Sequence, residues 1–186
     1  KMIGSDYYFN CRFATHITGN FNILLPACVN KIGTGAFIGT DENKNASIGS
    51  LVALTSEDSL KIYPAAFSGS NVSNIIIPFT GMWVGQSAFE SSDIESITTL
   101  KSQEIGPNAF SGCSRLLAIS LSDKNTSIGE GAFRDCTSLT SITIPDSVTS
   151  IGDGAFWGCS SLQHIAYAGT ETQWSKINIG SNNTCL

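Results

Sequence analysis

The sequence predicts a solenoid, a coil of stacked turns that each give one strand to a parallel sheet. Three observations lead there. The segment Thr137–Cys159 (TSLTSITIPDSVTSIGDGAFWGC) repeats the residues 23 positions before it. Cys136, Leu139, Ile142, Ile144, Ile151, Ala155 and Phe156 then fall on Cys113, Leu116, Ile119, Leu121, Ile128, Ala132 and Phe133. The motif Ile-Gly-x-x-Ala-Phe, or a near relative, recurs six times. Its copies are Ile32–Phe37, Ile62–Phe67, Val84–Phe89, Ile105–Phe110, Ile128–Phe133 and Ile151–Phe156, with phenylalanines 30, 22, 21, 23 and 23 residues apart. Apolar and small polar residues alternate ahead of a proline, as in Ile142-Thr143-Ile144-Pro145. A fixed apolar frame at this period marks units that cannot bury their own apolar face and must stack on their neighbours.

The elements follow in order. Residues 1–19 lie outside the repeat, and Tyr7, Tyr8, Phe9, Phe13 and Ile17 are apolar enough to cover an exposed end, as an N-terminal cap or a degenerate first turn. Residues 20–168 form the array, six full turns and a partial one, without a linker and therefore one structural domain. In each turn the alternation of period two sends one set of side chains inward. The strands read Ile23-Leu-Leu25, Val52-Ala-Leu54, Ile75-Ile-Ile77, Ile97-Thr-Thr99, Ile119-Ser-Leu121, Ile142-Thr-Ile144 and Ile165-Ala-Tyr167. Pro145 has no N–H to donate and ends its strand. Val148 and Ile151 then point inward, which allows a short second strand. Gly152 and Gly154 turn the chain, and Ala155-Phe156 returns to the core. The polar stretch Gly39–Ser47 makes the first spacing long and reads as a surface loop. Asp41, Asn43 and Asn45 imitate a calcium loop, but Ala46 and Val52 stand where its glycine and last carboxylate belong. Thr99 replaces an aliphatic residue, so the sheet is expected to pinch there. Residues 169–186 form a closing segment. Thr170 with Gln173 makes a capping box for a helix from Glu171 to about Lys176, anchored by Trp174, and Ile177 and Ile179 alternate like a last strand.

Composition narrows the function. The chain carries 10 basic and 15 acidic residues, a formal charge of −5, and its lysines and arginines are scattered. Nucleic acid and anionic membranes select clustered positive charge, so neither is an expected partner. No apolar run is long enough to cross a bilayer, so no membrane insertion is expected, and no signal peptide is visible. Cys113, Cys136 and Cys159 share a slot held by Thr40, Ser70 and Ser92 in earlier turns. A slot that accepts all three residue types suits a small packed thiol. Cys11 and Cys28 flank the first turn, where an oxidising compartment would allow them to pair. Cys185 is expected to be unpaired.

Chemistry is scarce. The two histidines, His16 and His164, lie in different end regions, and no nucleophile elbow or phosphate loop is present. The Gly-x-Gly at Gly33, Gly129 and Gly152 belongs to the repeat. No catalytic, cofactor-binding or metal-ligating residues are therefore assigned, and no cofactor is expected. The candidate surface is the outward row of the strands: Asn22 and Leu24, Leu51 and Ala53, Asn74 and Ile76, Ser96 and Thr98, Ala118 and Ser120, Ser141 and Thr143, His164 and Ala166. Leu24, Ala53 and Ile76 make its early turns apolar, which fits either a contact site, as grouped exposed apolar side chains often mark, or a seat covered by the N-terminal cap. Trp83 and Trp157, in non-core slots, are secondary candidates.

The run LTSITIPDSVTSIGDGAFWGCSSL closely resembles the BspA-like class of leucine-rich repeats, over roughly Phe21–Tyr167, with Asn125, Thr99 and Tyr63-Pro64 as departures. The resemblance implies a leucine-rich repeat solenoid of the right-handed superhelix class, with short second strands and short helical or 3-10 turns opposite the main sheet. It further implies a non-enzymatic binding module of a secreted or surface-attached bacterial protein, monomeric and extracellular. The implied partner is an extracellular protein, host matrix or another bacterium's surface among them. The alternatives are a glycan-binding or accessory domain of a larger secreted protein, with outward aromatics such as Trp83, Trp157 or Trp174 as the platform, and a spacer with no ligand.

Overall fold

The structure, a computed structural model, describes residues 8–9, 19–25, 31–38, 46–53, 59–76, 81–100 and 104–186. The loop at residues 39–45, its calcium-like residues, Cys11, Cys28 and His16 lie outside the described residues. Numbered along the chain, seven strands form the main sheet: β2 (Gly19–Leu25), β4 (Ala46–Ala53), β6 (Val72–Ile76), β8 (Ser96–Leu100), β10 (Ala118–Leu121), β12 (Ser141–Ile144) and β14 (His164–Tyr167). All neighbours are parallel, and pairs such as Ile119 with Ile142 stand one repeat apart. Ile75, Ile97, Ile119 and Ile142 point into the core.

The second strand of each turn is regular enough to build its own parallel sheet. Its members are β1 (Tyr8–Phe9), β3 (Lys31–Ile32), β5 (Ser59–Ile62), β7 (Gly81–Val84), β9 (Glu104–Ile105), β11 (Ser127–Ile128), β13 (Ser150–Ile151) and β15 (Asn178–Ile179). From β3 to β13 each strand ends on a buried aliphatic residue, Ile32, Ile62, Val84, Ile105, Ile128 and Ile151 in turn. The glycine after that residue does more than turn the chain. A Cβ on Gly152 would lie 2.4 Å from the Glu130 nitrogen, so the turns approach backbone to backbone. Tyr63 occupies this slot in one turn and sets its ring edge-on to Trp83 at 6.1 Å.

The third side carries the phenylalanines. Phe37, Phe67, Phe89, Phe110, Phe133 and Phe156 stack in one column, centroids 4.8 to 5.5 Å apart and planes within 11°. That spacing is near the interstrand distance of about 4.8 Å, which the coil imposes on every equivalent pair. The expected helical or 3-10 segments reduce to single turns here, such as Ala132 N–H to the Gly129 carbonyl and Arg134 N–H to Gly131. The reason is competition for the intervening N–H groups. Gly131, Phe133 and Asp135 donate instead to Asp153, Ala155 and Trp157 of the next turn, at 2.7–3.0 Å. Aiming them outward requires positive φ at two places per turn. Glycine supplies it at Gly131 and Gly154, but Ala65 (φ 54), Ser87 and Asn108 adopt it elsewhere, against the usual steric preference.

Two irregularities correct the sequence expectation. Gly49 is an extra residue against β2, where pairing steps from Phe21–Ile48 to Asn22–Ser50. After this bulge Leu51 is fully buried and Val52 faces outward, so Leu51 is not an outward residue of this turn, and the Ala53 side chain lies outside the described residues. The outward positions are Ser50 and Val52. In β8 the register also shifts, and Leu100, not Thr99, pairs with Leu121. The chain bulges and restores an aliphatic residue to the register, in place of the expected pinch. Asn125, standing where Val148 stands one turn later, is buried and accepts the Ser122 N–H through Oδ1 at 2.8 Å.

At the C-terminal end the capping box is present. Thr170 Oγ1 accepts the Gln173 N–H and Gln173 Oε1 accepts the Thr170 N–H, starting α1 (Glu171–Trp174), two residues shorter than expected. Trp174 packs edge-on against Tyr167 at 5.1 Å. β15 then pairs with β13, and Asn183 finishes the phenylalanine side. Its Oδ1 accepts the Phe156 N–H at 3.1 Å, in the place of the alanine carbonyl that serves Phe133, while Nδ2 donates to the Gly152 carbonyl.

Candidate functional site

The outer face of the seven-stranded sheet consists of two rows. The first runs Asn22, Ser50, Asn74, Ser96, Ala118, Ser141 and His164 in direct register. Its early members hydrogen-bond along the sheet. Asn22 Oδ1 accepts from the Ser50 N–H and Oγ at 3.0 and 3.1 Å, and Ser96 Oγ donates to Asn74 Oδ1 at 2.7 Å. These polar groups are largely committed to one another.

The second row begins Leu24, Val52, Ile76 on adjacent strands and ends Ser120, Thr143, Ala166. Leu24 is 63% exposed and Ile76 39%, with Val52 half-buried between them. Period-two alternation forces these side chains out, because Ile23 and Leu25, and Ile75, face the core. Ser120, Ser141, Thr143 and His164 are exposed, as expected, and Thr98 lies in β8 with its side chain outside the described residues. Val52 and Ser50 were missed by sequence reasoning. The signal was Gly49, since a glycine inside a strand pattern often marks a bulge. Beside the face, Arg115 and Glu95 form an ion pair across turns, next to the exposed Leu117.

The cysteine slot is buried and its thiols are held protonated. Cys113, Cys136 and Cys159 are free, and each Sγ donates to the carbonyl of the preceding turn's phenylalanine, Phe89, Phe110 and Phe133, at 2.9–3.1 Å. Burial raises the Cys113 and Cys159 thiols to about 12 and pushes Cys136 up as well. A thiol held protonated is a poor nucleophile. Cys185, also free, points towards the Phe156 carbonyl and continues the column into the closing segment. Among the tryptophans, Trp157 is covered on one face by Arg134, 4.4 Å from the ring centre.

The model of the BspA type leucine rich repeat region matches residues 1–99 and 50–163, with six copies. The chain belongs to this family. No curated protein matches it. Among solved structures it is similar to a leucine rich cell surface protein from Faecalibacterium prausnitzii, with 25% identity, a TM-score of 0.60, and 84% of this chain and 50% of the other covered. It shares the fold of the T. pallidum leucine rich repeat protein (21% identity, TM-score 0.64, 95% and 78% covered). It also shares that of the pneumococcal vaccine antigen PcpA (20%, 0.67, 93% and 47%). The chain thus spans about half the length of the Faecalibacterium and pneumococcal proteins. This BspA-type array is a repeat-built module of the kind used for interaction or surface display, in a fold class that is generally non-enzymatic.

Proposed function

We propose that this BspA-type array is the protein-binding part of a bacterial cell-surface or secreted protein and adheres to host matrix or bacterial surface protein through the seven-stranded sheet. The observation that carries the reading is the line of Leu24, Val52 and Ile76 across three adjacent strands, apolar and outward on a sheet whose other described outward residues are small or polar. Buried apolar bulk supplies most of the affinity in protein contacts, whereas small hydroxyls release little on desolvation.

The test is an array of host matrix proteins and bacterial surface proteins probed with the purified chain. Leu24→Asp and Ile76→Asp should abolish capture with the thermal midpoint unchanged, while Ser141→Asp and Thr143→Asp leave it within a few-fold. Capture that survives both early substitutions would overturn the reading. A glycan held on Trp83, whose ring is partly exposed beside Tyr63, is the second reading. It requires glycan-array signal that Trp83→Ala removes and Leu24→Asp does not.

A further inference from the structure

The two sheets end differently at the C-terminal end of the coil. The eight-stranded sheet is finished by β15 and Asn183. The seven-stranded sheet stops at β14, whose one neighbour among the described residues is β12. His164 and Ala168 donate their N–H groups to Thr140 and Ile144 at 3.3 and 2.9 Å. In a parallel ladder, alternate residues serve opposite sides. His164, Ala166 and Ala168 therefore pair back to β12, and Ile165 and Tyr167 aim N–H and C=O at the open edge. With Leu162, Trp174 and Leu186, and with the uncharged polar Gln163 and Cys185, these two residues line a cavity of about 370 Å³ at the same end. One turn earlier the equivalent residues, Leu139, Ile142 and Ile144, are fully buried, whereas Leu162, Ile165 and Tyr167 are only half-buried.

We infer that this end captures an extended peptide strand, added parallel to β14, with uncharged aliphatic side chains two residues apart. The edge offers backbone donors and acceptors at strand spacing, which another strand matches group for group. Register with Ile165 and Tyr167 would send two side chains of the incoming strand into the cavity, as Ile142 and Ile144 enter the turn before. No charged side chain lines it, so charge at either inward position is disfavoured. The occupant is chemically a copy of the protein's own repeat strand.

The probe is a blocked peptide with the sequence of Leu139–Pro145, Leu-Thr-Ser-Ile-Thr-Ile-Pro. With Trp83→Phe and Trp157→Phe, Trp174 is the sole tryptophan and reports from the cavity wall. Peptide should shift its emission to the blue saturably and slow hydrogen exchange at the Ile165 and Tyr167 amides of the unsubstituted chain. Serine at both isoleucine positions should weaken binding at least about tenfold. Ile165→Pro deletes an outward N–H without taking a bond from β12 and should weaken it similarly. The inference is overturned by an unsaturable response, by equal affinity for the serine peptide, or by amides already protected without peptide. Sedimentation showing that two copies pair through this edge would also overturn it, making a second chain the occupant. The exchange measurement decides the matter even where Ile165→Pro misfolds.

Discussion

The turns that close on Phe110, Phe133 and Phe156 and those that close on Phe37 and Phe67 share one interior and differ at their surfaces. In both, the rings stack within the same narrow spacing and the neighbouring alanines are buried. The later turns keep glycine at the close approach, cysteine in the small slot and hydroxyls on the sheet face, and the last two share a 23-residue period. The earlier ones carry a bulge at Gly49, Tyr63 in one glycine slot, threonine or serine in the small slot, and Leu24 and Val52 of the apolar stripe. A stacked coil demands only that each turn match its neighbours where they touch. The outward residues touch no other turn's core and are free to diverge, and so they are where binding can be placed.

The largest effect tests the shared interior. Phe133→Ala, between two stacked rings, should cost about 3–5 kcal/mol in urea unfolding, and Phe67→Ala about as much if the interior is truly common to both halves. A loss below about 1 kcal/mol at either position would split them.

Alkaline pH should separate the halves. A buried thiol stays protonated in the native state above the pH at which the unfolded chain releases its proton, ordinarily near 9. Above that point the native state binds more protons, so stability falls as pH rises, from about 9 towards the value near 12 of Cys113 and Cys159. Among the described residues, the loss should come from the later turns. Replacing Cys113, Cys136 and Cys159 by serine, the residue of the earlier slots, should flatten the profile between those limits, measured by denaturant midpoint against pH. The native thiols should also resist alkylation at pH 8 until denaturant is added.

Asn183→Ala removes the acceptor of the buried Phe156 N–H and should cost about 1–3 kcal/mol, with faster hydrogen exchange at Phe156 and unchanged exchange at Phe110. Equal exchange at both would mean that the closing segment does not cap the column.

The smallest effect has the opposite sign. Ala65→Gly relieves a positive φ of 54° and should stabilise by about 0.5–1 kcal/mol. In a later turn Gly131→Ala should destabilise by more, since its φ is 57° and a Cβ would lie 2.3 Å from Asn108 Oδ1. Thermal midpoints of the two variants should therefore move apart.

Read alone, the sequence determined the coil, the inward residues of both strands, the phenylalanine column and the capping box at Thr170, because a contact repeated at fixed spacing writes itself into the chain as a period. It also placed Leu24, Ile76, Ser120, Ser141, Thr143 and His164 on the outward face, since alternation alone decides that. Tertiary structure decided what breaks the period. The bulge at Gly49 moved Val52 outward and Leu51 inward, and the bulge in β8 brought Leu100 into register, because each strand takes its register from its neighbours and not from its own residues. The positive φ of Ala65 and Ser87 was equally invisible. Neither residue favours that conformation, and only the carbonyls of the next turn, waiting at 3.1 and 2.9 Å, hold them in it.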